Sequence, residues 1–274
     1  INGSIGILFE QASSRSLQTE TSKGVMTYAF TVRNQFLASL STMSAITEMR
    51  TDLLAHQRDF YADREEAVSD ADERAYVIDM TDRRTRAQAL AQTLQRHRVK
   101  LYDLGESVSA DGRTYRPGDA YVVPLDQEQG RFVKAAMERT SEYPDSLFYD
   151  VSTWTLPLAY GVEYTSLERT PDLGSELGDI SYDGGQVVGG QSDYAYVMPW
   201  GRYFAPRAVY RLQEAGVRPR AMTDPFTARI PGGGTRSFDR GAIVIQVQQR
   251  GVAADSLHAV VRRIAAEDHV DVVA

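Results

Sequence analysis

The chain of 274 residues contains no cysteine, only four histidines, and only three lysines among its 30 basic residues. Without cysteine it has no disulfide framework, no thiolate metal site and no cysteine nucleophile. It also lacks an apolar run near the roughly 18 residues that a transmembrane helix requires, which predicts no membrane span. The net charge of −7 disfavours general nucleic-acid binding, because that function needs a basic surface.

The composition that remains is that of an ordinary globular protein, with 42% hydrophobic and 9% aromatic residues. Apolar runs alternate with amphipathic, helix-periodic segments, which predicts the α/β class. We predict five regions: a strand and long helix at 1–61, a charged linker at 62–74, a first α/β unit at 75–170, a linker rich in Gly, Ser and Asp at 171–192, and a second α/β unit at 193–274.

The two α/β units repeat one order of elements, β-α-β-β-α-β. Each opens with Ala-Tyr-Val, at Ala75 and at Ala195, and each has an aromatic residue, Tyr115 or Phe238, before a glycine that leads into its third strand. Apolar runs such as residues 243–245 indicate strands buried on both faces, which is typical of parallel sheets covered by helices. We therefore predict two similar units with a mostly parallel sheet.

A single carboxylate, Glu10, follows the first apolar run, Ile5–Phe9, and precedes a polar loop and a helix predicted from Thr31 to about Tyr61. A carboxylate at the C-terminal end of a buried strand faces the mouth of an α/β sheet, where such folds place their chemistry. The alternative is an ordinary strand-end carboxylate that caps the chain or pairs with Arg15. Because a buried strand needs neighbours on both sides, we expect the chain to belong to a larger protein.

Residues 6–15, Gly-Ile-Leu-Phe-Glu-Gln-Ala-Ser-Ser-Arg, resemble the end of the catalytic domain of M14-type zinc carboxypeptidases, the carboxypeptidase A superfamily, in its divergent bacterial form. The segments 121–125 and 147–152 resemble the accessory region that follows this domain. The resemblance implies that Glu10 is the general base in hydrolysis of peptides from the C-terminus, with zinc as the cofactor. It implies a peptide substrate, the remainder of the peptidase domain as a partner, and a periplasmic or secreted protein.

The zinc ligands of this family are a His-x-x-Glu pair and a later His, all upstream of the general base. None of His56, His97, His258 and His269 is followed three residues later by Glu. Because catalytic zinc needs three protein ligands and an open position, we assign no metal ligand and no cofactor-binding residue to this chain. We predict that the 274 residues alone have no peptidase activity.

Two other hypotheses remain open. The α/β region could be a non-enzymatic ligand- or partner-binding module with its cleft between the two units, at the ends of the strands. Asp79, Asp103, Asp126 and Asp150 follow strands of the first unit, whereas the second unit has no acidic residues at the corresponding places, which favours a site in the first unit. The chain could also be an unrelated α/β protein, and a complete sheet around residues 5–10 would support that hypothesis.

Overall fold

The computed structural model describes residues 3–11, 13–63, 72–139 and 155–274. The chain divides into two compact parts, which we call the N-terminal body (Ile1–Asp70) and the C-terminal body (Ala71–Ala274). This division falls inside the segment 62–74 that the sequence marks as a linker.

The N-terminal body contains a hairpin followed by two consecutive helices. Its elements are β1 (Gln18–Thr21), β2 (Gly24–Thr27), α1 (Tyr28–Glu48) and α2 (Arg50–Ala62). Thr27 is the N-cap of α1, and its side chain accepts a hydrogen bond from the Phe30 N–H at 3.2 Å. The sequence predicts one helix from Thr31 to about Tyr61, but the structure has two, with Met49 between α1 and α2.

The predicted opening strand Ile5–Phe9 is wrong. These residues adopt no regular secondary structure, and no strand among the described residues pairs with them. Their side chains are exposed, with Ile7 at 64% and Leu8 at 80%. Since a strand needs a neighbouring strand for its backbone hydrogen bonds, a lone apolar run cannot form one. No complete sheet surrounds residues 5–10 in the described part of the chain.

The first α/β unit of the C-terminal body is built on a five-stranded sheet with the order β8-β3-β7-β4-β9. Its elements are β3 (Ala75–Asp79), α3 (Arg84–Arg96), β4 (Tyr102–Leu104), β5 (Val108–Ala110), β6 (Arg113–Tyr115), β7 (Ala120–Pro124), α4 (Gly130–Met137), α5 (Leu156–Tyr160), β8 (Tyr164–Leu167) and β9 (Leu173–Glu176). The apolar residues 147–151, for which the sequence also predicts a strand, lie outside the described residues.

The second α/β unit has its own five-stranded sheet with the order β10-β16-β11-β15-β12. Its elements are β10 (Val187–Val188), β11 (Ala195–Met198), α6 (Ala205–Glu214), β12 (Arg220–Ala221), β13 (Phe226–Ile230), β14 (Gly234–Phe238), β15 (Ile243–Gln246), α7 (Ala254–Asp268) and β16 (Val272–Val273). The trio β11-β15-β12 has the same order and pairing directions as β3-β7-β4 in the first unit.

The prediction of a mostly parallel sheet is wrong. Every pairing in the first sheet is antiparallel, and β10 with β16 is the one parallel pair among the described strands. The strands β3 and β4 do run in one direction, as their helical connection requires, but the antiparallel strand β7 lies between them.

Burial on both faces was misleading evidence for parallel pairing. In β3, Ala75 and Val77 face a cluster to which Val108 and Ala110 of the β5–β6 hairpin contribute, while Tyr76 and Ile78 face the opposite side. All five residues of β3 are buried. A hairpin on one face and helical segments on the other therefore bury an antiparallel strand as completely as two helical layers bury a parallel one.

The core of the second unit lies between its sheet and two packed helices. Tyr196, Met198 and Ile245 of the sheet meet Leu212 of α6 and Val261 of α7 in this core. Burial of such side chains contributes about 1.5–3 kcal/mol each. No helix in the described segments combines the length and apolar character needed to cross a membrane.

Candidate functional site

Glu10 lies in the N-terminal body at the end of the exposed segment Ile5–Phe9, and its own side chain is exposed. The structure gives no ion pair between Glu10 and Arg15, so the proposed pairing of these two residues is not formed. The carboxylate therefore remains accessible beside the apolar residues that precede it.

The apolar residues before Glu10 line a groove of 850 Å³ together with both helices of the N-terminal body. Representative lining residues are Ile5, Ile7, Phe9, Ile46, Met49 and Leu53. Neither α1 nor α2 contains a buried residue. A helix of a folded domain normally buries one apolar stripe, so this surface has the character of an interior face without its covering layer.

The four histidines lie on separate elements. His56 lies on α2, His97 caps α3 and stacks on Phe132 with ring centroids 4.5 Å apart, and His269 caps α7. His258 is buried and shares a hydrogen bond with the Tyr196 hydroxyl. Within the described ranges no group of three or more His, Cys, Asp or Glu side chains could hold a metal ion. These residues do not fit the zinc site that the sequence resemblance implies.

Antiparallel pairing separates the strand-end aspartates of the first α/β unit. Asp79 at the end of β3 lies opposite Ala120, the first residue of β7. Asp126 lies two residues after Pro124, the last residue of β7, and is therefore at the other end of the sheet. Asp103 lies at the same end of the sheet as Asp79, and Asp150 lies outside the described residues. The three described acidic strand ends thus form no single site.

Asp79 has a structural role instead. Its buried carboxylate accepts hydrogen bonds from the Thr81 N–H at 2.7 Å, the Thr81 hydroxyl at 2.6 Å and the Arg113 guanidinium at 2.5 Å. Burial acts to raise the pKa of Asp79, but the hydrogen bonds from Thr81 and Arg113 outweigh it and lower the pKa below its usual range. The carboxylate is fully engaged in holding the β3–α3 turn to β6.

The junction between the two α/β units is filled by protein groups. The Tyr203 N–H donates to the Thr85 hydroxyl at 3.0 Å, and the Arg86 guanidinium donates to the Gly201 carbonyl at 2.8 Å. The rings of Tyr160 and Tyr203 stack at 6.1 Å with a tilt of 14°. The cavities that we describe in the C-terminal body are each lined by one α/β unit alone, rather than by both.

A polar pocket of 280 Å³ lies beside the edge strand β8 in the first α/β unit. The residues that line it with charged or hydroxyl groups are Glu73, Tyr76, Asp111, Glu138, Arg139, Tyr164, Thr165 and Ser166. They come from the start of β3, the β5–β6 turn, the end of α4 and β8. The sequence did not predict this pocket, because no local motif links residues so far apart in the chain.

The two tyrosines of this pocket remain protonated. Burial, followed by the carboxylates of Glu73 and Glu138, raises the pKa of Tyr76. Burial also raises the pKa of Tyr164, and the Arg139 guanidinium offsets part of that effect. Both phenols therefore keep a proton that they can donate in a hydrogen bond at neutral pH.

Comparisons of this chain with protein-family models, with curated proteins and with solved structures give no match. A function must therefore be inferred from the geometry of the described residues, and two sites are candidates. One is Glu10 with its apolar groove in the N-terminal body, and the other is the polar pocket beside β8 in the C-terminal body.

Proposed function

We propose that this chain is part of a zinc-dependent metallocarboxypeptidase of the M14-like type, which hydrolyses peptides from the C-terminus. In this proposal the α/β units of the C-terminal body form a non-catalytic accessory region. The zinc ligands belong to the remainder of the peptidase domain, outside these 274 residues. The substrate is a peptide, and the protein is exported to the periplasm or secreted.

The observation that carries the proposal is the uncovered apolar face beside Glu10. Sixteen large apolar residues between positions 3 and 63 are exposed, and α1 and α2 bury none of their residues. Such a face is typical of an interior layer that another part of a domain covers. In this proposal, the remainder of a peptidase domain covers it.

Glu10 would then act as the general base. A positioned carboxylate accepts a proton from the water that attacks the peptide carbonyl and delivers it to the leaving amine. The side chain of Glu10 is exposed and forms no ion pair with Arg15, so its oxygens are available for this transfer. General acid–base catalysis of this kind contributes about 10²–10⁴ in rate.

The test uses the natural polypeptide, whose intact mass and zinc-dependent release of C-terminal amino acids are measured together. We expect a mass above 30.5 kDa. We expect Glu10→Gln to lower kcat by about 10²–10⁴ with little change in KM, because the substitution removes the proton acceptor and preserves the shape. Glu20→Gln is the matched control, since Glu20 is an exposed glutamate on β1 of the same body.

Two results would contradict the proposal. A natural polypeptide of 30.5 kDa would leave Glu10 without a zinc site, and zinc-dependent release by the 274-residue chain alone would show that the ligands lie within it. Full activity of Glu10→Gln in the natural polypeptide would exclude the role of Glu10 as the base.

A further inference from the structure

A further cavity lies in the second α/β unit, between the β13–β14 hairpin and the face of the sheet that points away from α6 and α7. Val197, Val244 and Val273 line it from the sheet, and Phe226 and Phe238 line it from the hairpin. These side chains form a hydrophobic cluster of their own, apart from the core between the sheet and the two helices. The two clusters are separate because neighbouring residues of a strand point to opposite faces of the sheet.

The size of this cavity suits a short alkyl chain. Its volume of 390 Å³ corresponds to about thirteen groups of ~30 Å³ each, the share of one water molecule and close to that of one methylene group. Tyr194, which lines the cavity, is 83% exposed, so the cavity opens to solvent. A ligand of about ten carbon atoms fits such a space, whereas a helix of about 10 Å diameter does not.

The polar side chains among the described lining residues can all donate a hydrogen bond, and none is a carboxylate. They are those of Ser192, Tyr194 and Arg229. The Ser192 Oγ atom accepts hydrogen bonds from the N–H groups of Tyr194 and Ala195 at 3.3 and 3.2 Å, so its own proton is the group that remains to donate. An ionised carboxylate only accepts hydrogen bonds and therefore matches these groups.

A guanidinium group lies beside the apolar wall of the cavity. Arg236 pairs with Ala228 across the hairpin, so both lie on the same face of the hairpin, and Ala228 lines the cavity. The Arg236 Cζ atom is 5.5 Å from the centroid of the Phe238 ring, which also lines the cavity. Neither Arg236 nor Arg229 forms an ion pair or a side-chain hydrogen bond with any residue that the structure describes. Both cations are thus available to a ligand.

The hairpin belongs to a basic segment of an acidic chain. Residues 216–251 contain six arginines and two aspartates, a net charge of +4, whereas the whole chain has −7. All six arginines are exposed, and none has a carboxylate partner in the described ranges. Four arginines of the same unit outside this segment are ion-paired: Arg202, Arg207, Arg211 and Arg263. The free guanidinium groups of the segment favour an anionic ligand.

We propose that the cavity under the β13–β14 hairpin binds a medium-chain fatty acid. The alkyl tail lies against the sheet valines and the rings of Phe226 and Phe238, and the carboxylate lies at the mouth near Arg229 and Arg236. The apolar lining selects against small hydrophilic anions, and the free guanidinium groups select against cationic amphiphiles. The proposal does not rest on the peptidase function, because binding to the C-terminal body is measured without catalysis.

The experiment follows the isoleucine δ1-methyl signals of the 274-residue chain by NMR during titration with decanoate below its micelle concentration. Ile230 lines this cavity and Ile46 lines the groove of the N-terminal body, so one spectrum separates the two apolar sites. We expect the Ile230 signal to shift saturably. Octanoate should bind there about tenfold more weakly, because two fewer methylene groups are buried. Decyltrimethylammonium, with the same tail length and the opposite charge, should bind at least about tenfold more weakly than decanoate.

One pair of variants tests the site of the tail. Ala228→Phe fills the cavity, and we expect it to weaken decanoate binding by about tenfold or more. Thr227→Phe is the matched control, because Thr227 is exposed on the same strand, points to the opposite face and does not line the cavity. The Ile245 methyl signal, which lies in the core of the unit, reports that each variant is folded.

A second pair tests the site of the carboxylate. We expect Arg236→Gln to weaken decanoate binding by about tenfold and to leave the weak binding of decyltrimethylammonium undiminished, because only the anion loses a partner. Arg262→Gln is the control, since Arg262 is an exposed arginine on α7 that lies outside the basic segment. It should leave the affinity for decanoate unchanged.

An Ile230 signal that does not move with decanoate overturns the proposal. Equal affinities for decanoate and decyltrimethylammonium overturn it as well, since the guanidinium groups would then have no role. The same holds if Ala228→Phe and Arg236→Gln, both folded, bind decanoate as the unaltered chain does. A response of Ile230 to anionic phospholipid vesicles without a response to monomeric decanoate would assign the hairpin to a membrane surface and also exclude the fatty-acid site.

Discussion

At the scale of single residues, the carboxylate of Asp79 is the clearest example of a buried charged group held by hydrogen bonds. It accepts three hydrogen bonds from Thr81 and Arg113, and these bonds hold its pKa below the ordinary value despite burial. A group with a lowered folded-state pKa contributes stability that is fully present above its unfolded pKa of about 3.9. That contribution is lost as the pH falls through the folded-state pKa.

We therefore expect Asp79→Asn to lower the free energy of unfolding by about 1–3 kcal/mol at pH 7, because hydrogen bonds to a charged acceptor are replaced by weaker ones. The difference from the wild-type chain should shrink progressively as the pH falls through the folded-state pKa, because the wild-type carboxyl then becomes protonated itself. Urea unfolding over a pH series downward from pH 7 measures it. Asp126→Asn is the control at an exposed strand end of the same sheet. An equal loss in both variants, or a loss independent of pH, would contradict this role of Asp79.

At the scale of elements, helix α6 ends in a complete C-terminal capping motif. Gly216 has φ of +76°, its N–H donates to the Gln213 carbonyl at 2.9 Å, and the Val217 N–H donates to the Leu212 carbonyl at 2.9 Å. This is the Schellman arrangement, in which a left-handed residue satisfies the last carbonyls of a helix. Leu212 and Val217 both enter the core of the second α/β unit, so the motif also fixes where the chain leaves the helix.

We expect Gly216→Ala to destabilise the chain by about 1–2 kcal/mol, the cost of placing a side chain in the left-handed region. A Cβ at Gly216 would meet no atom within 4 Å, so the cost is one of backbone conformation alone. Gly178→Ala is the matched control, because its Cβ also meets nothing and its φ is not positive. Thermal unfolding of the two variants measures the difference, and equal midpoints would rule out the strain at Gly216.

The elements that the sequence predicts well are those specified by local signals. Apolar periodicity predicts a helix at 84–96, which is confirmed. A second helix, predicted at about 204–215 and stopped by Gly216, is confirmed within one residue at each end. The residue type of Asp255 predicts an N-cap for the last helix, but Asp255 lies in the first turn of α7, and Ala253 is the cap. Cap geometry depends on backbone angles that residue type alone does not determine.

The direction of strand pairing and the polar pocket could not be predicted from the same signals. An apolar run shows that a strand is buried, but both parallel and antiparallel neighbours can bury it. The insertion of β7 between β3 and β4 is a property of the whole sheet. Likewise, Tyr76 and Arg139 are 63 positions apart in the chain, and only the packing of α4 and β8 near β3 brings them to one cavity.

At the scale of the molecule, exposed apolar residues are distributed unevenly. Sixteen large apolar residues with exposed side chains lie between positions 3 and 63, and seven lie in the described part of the C-terminal body. The hydrophobic clusters that the structure describes in the C-terminal body consist of residues from Ala75 onward. The two bodies thus differ in kind, because one has a core of its own and the other has an uncovered apolar face.

This difference predicts that residues 72–274 fold without the N-terminal body. We expect this fragment to unfold cooperatively with a midpoint within about 3 °C of the main transition of the 274-residue chain, the shift that ~1 kcal/mol produces in a domain of this size. It should also bind much less of a dye that recognises exposed apolar surface, because the sixteen exposed residues are removed.

A matched variant of the whole chain, Ile46→Ser with Leu54→Ser, should lower dye binding and leave the midpoint unchanged, since both side chains are exposed. A fragment that fails to unfold cooperatively would show that its clusters are not sufficient for folding. Dye binding that stays unchanged in the fragment would show that the apolar surface belongs to the α/β units instead.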